Sequence, residues 1–219
     1  IPPLPGVHFV PFRLRPGVRF HEGSQLTAED VKYCLEQTIA SPGGSYFFSA
    51  VKDVRTPDQR TVVIRLSHPH APFLSDMAIY SVSIYPKKLA EQMGKKFWSH
   101  PIGTGPFMFS SWKRGSEIVM TRNPHFWRPG GMPYVDTFHN LVVPDANTRV
   151  LQVQAGELDI ALFPPPAQAK ALQGNPAVTV HLDNFMDSHF VTLNVTKPPL
   201  NNKLVRQALN YAVDKNAII

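Results

Sequence analysis

Hydrophobic and polar positions change period several times along this chain, and each change marks an element. Val31, Cys34, Leu35, Thr38 and Ile39 recur at spacings of three and four, which predicts one buried face of a helix. Thr27 suits the N-cap of that helix, and Asp30, three residues on, is placed to reach back to it. Ser41-Pro42-Gly43-Gly44 is expected to stop it. Cys34 falls inside the apolar stripe, which predicts a packed thiol rather than a reactive one.

Before this helix, Ile1 to Gly6 is too rich in proline for regular structure. Val7 to Leu14 reads as a strand that Pro11 pushes to an edge, and Val18-Arg19-Phe20 as a shorter one. After the helix, Val51–Arg55 and Thr61–Leu66 alternate as strands around Thr56-Pro57-Asp58-Gln59-Arg60, a hairpin signal. Short helices are expected over Pro72–Ala78 and Pro86–Met93, each with proline in its first turn. Between them runs the mixed small and aromatic segment Ile79 to Tyr85.

At the centre, Pro101-Ile102-Gly103-Thr104-Gly105-Pro106 is a tight corner that feeds the alternating strand beginning Phe107-Met108-Phe109. Lys113-Arg114-Gly115-Ser116 turns it into a second strand, Glu117 to Thr121. Val135–Val143 is a further strand. Beyond it the pattern alternates: a helix capped by Asp145 and closed at Gly156, strand Leu158–Phe163, and a helix over Ala167–Leu172. Strands Val178–Leu182 and Phe190–Val195 follow, then an amphipathic helix over Lys203–Val213 burying Leu204, Ala208, Tyr211 and Ala212. Such alternation argues for an α/β layer.

Composition narrows the class. A chain of 219 residues can bury a sizeable core in one or two domains. Its 22 prolines are scattered between periodic segments, which predicts rigid turns rather than a disordered tract. A single cysteine excludes an internal disulfide, and no apolar run is long enough for a transmembrane helix. The first residue is Ile1, as in a processed or cut chain. The net charge of +6 comes from lysine and arginine scattered singly or in pairs, which describes a basic surface and not a nucleic-acid platform.

Candidate chemistry is sparse. Among nine histidines, His68-Pro69-His70 is the closest pair, but no third ligand stands at metal-binding spacing. His21, His125, His139 and His189 are isolated and read as structural. Gly103-Thr104-Gly105 lacks the further glycine or Lys-Ser/Thr of a nucleotide loop, and no nucleophile elbow or zinc-protease helix occurs. Glu157 and Asp159 would share a strand face, without the cleft that paired carboxylate catalysis requires. An enzyme is not expected, and neither is a cofactor or a bound metal.

Four segments together resemble one family. They are Phe12-Arg13-Leu14-Arg15-Pro16-Gly17-Val18-Arg19-Phe20-His21-Glu22-Gly23 with Leu26 to Val31, then Pro101 to Phe107 with Arg122-Asn123-Pro124 and Phe126-Trp127. The third is Pro144-Asp145-Ala146-Asn147-Thr148-Arg149 with Gly156-Glu157-Leu158-Asp159, and the fourth Leu193 to Pro199 with Val205 to Asp214. In this order they resemble the family 5 extracellular solute-binding proteins, the dipeptide, oligopeptide and nickel receptors of ABC importers.

The resemblance implies a fold and an architecture: α/β, a periplasmic-binding-protein-like type II lobe with a small α+β subdomain, in a fragment of a two-lobed protein. Residues 1–101 would be the small subdomain, 102–195 the core α/β part of lobe I, and 196–219 the hinge exit and first helix of lobe II. The chain is shorter than full-length members, so the resemblance implies a piece without the N-terminal strands and nearly all of the second lobe.

It implies capture of a peptide or similar small solute by closure of the lobes, with delivery to ABC permease subunits in the membrane. The protein would be a monomer, periplasmic or lipid-anchored on the outer face of the bacterial cell membrane, without nucleic-acid binding. A ligand-sensing domain of a transcription regulator, or a nickel, haem or sugar receptor, are the alternatives. By the same resemblance Tyr80, Ser81, Val82 and Ser83 would come near the ligand, with ordinary packing as the competing role, and Asn194 and Thr196 would lie at the hinge. Gly103, Thr104 and Gly105 are expected to shape the lobe rather than touch solute.

Overall fold

A computed structural model describes residues 9–128, 130, 133–182, 190–214 and 217. Residues Ile1–Gly6 and His189 lie outside them. The chain divides into two compact units, Ile1–Asp145 and Ala146–Ile219.

The first unit opens with strand β1 (Phe9–Arg13), helices α1 (Ala28–Ala40) and α2 (Pro42–Phe47), and strands β2 (Val51–Asp58) and β3 (Thr61–Leu66). These strands form an antiparallel sheet in the order β1-β3-β2, so Pro11 sits on an edge strand as its missing N–H requires. Alternation in β3 turns Val62, Ile64 and Leu66 inward. They meet Val31 and Leu35 of α1, with Val54, Phe48 and Phe73, in one closed core. Each such side chain is worth about 1.5–3 kcal/mol of burial.

Helix α1 starts as expected. Thr27 Oγ1 accepts from the Asp30 backbone N–H, and the Asp30 carboxylate accepts from Thr27 N at 2.9 Å. The other Asp30 oxygen accepts from Lys87 N at 3.0 Å, so one side chain caps α1 and holds the first residue of α4 (Lys87–Met93). Cys34 is 1% exposed, its thiol lying 3.3 Å from both the N and O of Tyr85. Burial pushes that thiol up to about 11.

Ser41-Pro42-Gly43-Gly44 stops α1 but also starts α2. Ser41 Oγ donates to Thr38 O at 2.7 Å and accepts from Gly44 N at 3.0 Å, with Pro42 at the first helical position. A Cβ at Gly44 would fall 1.8 Å from Thr38 O, so only glycine fits. The hairpin turn is tighter than expected. β2 runs to Asp58 through an irregularity that spans Pro57, and Asp58 Oδ1 accepts from Arg60 N at 2.8 Å. Val18–Phe20 forms no strand, only an isolated bridge between Arg19 and Gln25.

Helix α3 (Phe73–Asp76), α4 and a 3-10 turn (Gly94–Ser99) lead to the second sheet. Strands β4 (Phe107–Lys113), β5 (Glu117–Arg122) and β6 (Thr137–Leu141) pair antiparallel in sequence order.

The second unit contains α5 (Ala146–Gln154), α6 (Pro166–Leu172) and α7 (Lys203–Ala212). Gly156, at φ 74°, ends the turn after α5 in the left-handed region. Four expectations fail here, three strands and one buried helix face. Segments 158–163 and 178–182 and the stretch 190–195 form no strands among the described residues. Their alternation is genuine, yet a strand needs a neighbour to take its ladder hydrogen bonds, and none pairs with them. Helix α7 is amphipathic but buries nothing, and Leu204 and Tyr211 are exposed. A helical period shows which face is apolar, not whether another surface covers it.

Candidate ligand-binding site

The Gly103–Gly105 corner is held by groups distant in sequence. Its anchor is His21, whose backbone N donates to Gly103 O at 2.9 Å. The Gly103 N–H donates to His21 Nδ1 at 3.3 Å, and a backbone N–H can only donate. The ring proton therefore sits on Nε2, which donates to Gly105 O at 3.1 Å. Asn123, only 5% exposed, gives Gly105 O a second donor at 3.0 Å, while its Oδ1 accepts from His125 N at 2.9 Å. The sequence pattern marks His21 as isolated; the fold makes it a structural clamp.

Beside this corner lies a trough of about 550 Å³. One wall is a face of the second sheet. Phe107, Phe109, Met120 and Ile118 share it by strand alternation, and Trp112 joins them because the β4–β5 register shifts between Phe109 and Ser111. Without the extra residue Trp112 would point to the other face. The opposite wall holds Tyr85, Phe97 and Trp98, whose ring centroids lie 5.2–5.3 Å apart. Burial, with Cys34 and Tyr33 nearby, pushes the Tyr85 phenol up to about 12, so it stays a neutral hydrogen-bonding group. Polar points are few: His21, Ser83 and Asn140.

Of the ligand-facing residues expected from the resemblance, Tyr80, Ser81 and Ser83 are exposed on one loop and Val82 packs inward against the core. Tyr80 is 96% exposed. The loop beneath it is held: Thr38 Oγ1 donates to Ser81 O at 3.1 Å, and Ser83 Oγ donates to Tyr80 O at 2.8 Å. Only Ser83 reaches the trough. Asn194 and Thr196 belong to the second unit, where Asn194 Oδ1 accepts from Thr196 N at 3.1 Å and from Thr196 Oγ1 at 2.7 Å, a self-contained turn.

One further residue stands out. Phe163 has φ 54°, the only positive value at a non-glycine residue among those described, and its ring is 85% exposed. A bulky side chain in that region costs about 1–3 kcal/mol, and such strain collects at ligand contacts. Nothing in the sequence pattern signals it.

Among the described residues no three His, Cys, Asp or Glu side chains converge. His70 Nε2 is 2.8 Å from Asp76 Oδ2, and His68 Nδ1 is 3.0 Å from Ser67 Oγ, so each ring is turned to its own partner. No helix among the described residues is long and apolar enough to cross a membrane.

Comparison with known proteins gives this geometry its context. Residues 10–219 match the model of the bacterial extracellular solute-binding proteins, family 5. The glutathione-binding protein GsiB of Pectobacterium atrosepticum is 32% identical over 94% of this chain and 41% of its own length. The dipeptide-binding protein of Escherichia coli is 32% identical over 95% of this chain and 43% of its own. Among solved structures, MoaA of A. tumefaciens R10 in complex with mannopinic acid superposes with a TM-score of 0.80 at 28% identity, covering 96% of this chain and 43% of that one. The chain thus spans about two fifths of the length of the relatives it matches. These relatives are binding proteins, not enzymes, and the fold is that of the periplasmic-binding-protein type II group.

Proposed function

The chain belongs to the family 5 bacterial extracellular solute-binding proteins, and from that premise we propose that its parent protein captures peptides for an ABC importer. The observation that carries the proposal is the match across residues 10–219, shared with relatives named for binding a dipeptide and glutathione. In this role the protein works outside the cytoplasmic membrane, in the periplasm or lipid-anchored, and hands its solute to the permease subunits.

Capture proceeds by closure. A ligand that touches both sides of a cleft stabilises the closed state by its differential affinity for it. On this chain the Tyr80–Ser83 loop supplies contacts of the required kind. Tyr80 offers an aromatic face and a phenol to peptide side chains, and the Ser81 and Ser83 hydroxyls suit backbone amides. Its two tethers fix the loop in advance, which lowers the entropic cost of binding. Within the second unit, the exposed ring of Phe163 is of the kind that suits an aromatic contact to solute. Asn194 and Thr196 lie where the chain leaves one lobe for the next, and residues 1–101 and 102–195 divide that lobe as its small subdomain and α/β core.

Mass spectrometry of ligands released from natively purified protein tests the proposal. Peptides in the eluate are expected. A nickel complex, haem, a sugar or an opine in their place would overturn the peptide assignment while leaving the family intact.

A further inference from the structure

We propose that His21 is an acid-sensitive latch that fastens the Gly103–Gly105 corner to the turn at Phe20–Gly23. The latch follows from the tautomer fixed above. At Nδ1 the ring accepts from Gly103 N–H, and at Nε2 it donates to Gly105 O. A proton arriving on the ring must go to Nδ1. It converts the acceptor into a donor that faces another donor, and the Gly103 bond is lost. The Nε2 bond survives and gains charge assistance. Asn123 still holds Gly105 from the far side. Protonation therefore frees the Gly103 N–H alone, while Gly103 O keeps the His21 backbone bond at 2.9 Å and Gly105 stays held.

Few titratable or charged groups stand around His21. Tyr85 is the other titratable side chain lining the trough, and no carboxylate or lysine lines it. Residues 101–107 of the corner carry no charged side chain. On the turn itself, Glu22 accepts from Ser24 Oγ, and Arg19 donates to Gly23 O at 2.8 Å. At the end of β5, Arg122 pairs with Asp136 at 2.6 Å. On the segment leading to the corner, Lys95 and Lys96 stand in the 3-10 turn, and His100 lies edge-on to Phe109 at 5.7 Å. Among the described residues no carboxylate forms an ion pair with His21.

The test is site-resolved NMR of the protein carrying this chain, labelled with ¹⁵N. At about pH 8 the His21 ring is expected to carry its proton on Nε2 alone. On lowering the pH to about 5, protection of the Gly103 amide against exchange should fall about five- to tenfold, the loss of one hydrogen bond. The Asn123 amide should keep its protection. In His21→Gln the Gly103 step should vanish. A proton on Nδ1 at the higher pH, equal Gly103 protection at both, or a step that persists in the variant would each overturn the latch. Should His21→Gln fail to fold, the ring tautomer and the Gly103 measurement on the native protein decide the matter alone.

Discussion

His21 and Asn123 donate hydrogen bonds to one atom, the carbonyl oxygen of Gly105, at 3.1 and 3.0 Å. One donor comes from the turn before α1 and the other from the end of β5. The corner between the two sheets of the first unit is thus set from both sides.

Asn123→Ala should destabilise the protein by about 1–3 kcal/mol, because a buried acceptor loses one donor and the His125 N–H loses its acceptor. Denaturant unfolding checks this. A change within about 0.5 kcal/mol, the usual range for surface substitutions, would show that the corner does not depend on Asn123.

Much of this arrangement was legible in the sequence, in unequal measure. The α1 stripe, the Thr27–Asp30 cap and the two hairpins are local, so spacing and turn residues specify them. The Gly-Thr-Gly-Pro corner was legible as a corner, but its partners were not, since His21 and Asn123 are distant in sequence. Trp112 was hidden by the extra residue in β4, which shifts the period-two pattern by one. Segments 158–163, 178–182 and 190–195 show the opposite failure: their alternation is a property of the segment, while a strand is a property of a pair.

Cys34 should resist thiol reagents in the native protein at neutral pH and react once unfolded. Burial raises its thiol from 9.0 to about 11. The unfolded thiol ionises first, so this contribution to stability is present below pH 9 and lost as pH rises towards 11. Tyr85 adds a loss between 10 and 12. Thermal melts across that range should show Cys34→Ala flattening the lower part of the decline and shrinking the upper part, since Cys34 is one of the groups that raises Tyr85. An unchanged profile would contradict the assignment.

Phe163 should trade stability for binding. Phe163→Gly relieves the positive φ, so its stability should match or exceed that of Phe163→Ala by about 1 kcal/mol. Both variants should bind solute more weakly. Equal affinities in all three proteins would remove Phe163 from the ligand surface.

Tyr80→Ala separates contact from fold. At 96% exposure the side chain contributes little to stability, so the melting temperature should hold. Peptide affinity should fall about tenfold, the loss of one aromatic contact. Unchanged affinity would place the ligand elsewhere.

Calorimetric titration of short peptides bears most directly on capture between two lobes. Residues 1–219 alone should bind weakly or not at all, whereas a full-length receptor containing them should bind at micromolar or tighter Kd, about −8 kcal/mol or more. Micromolar binding by residues 1–219 on their own would contradict a mechanism that needs both sides of the cleft.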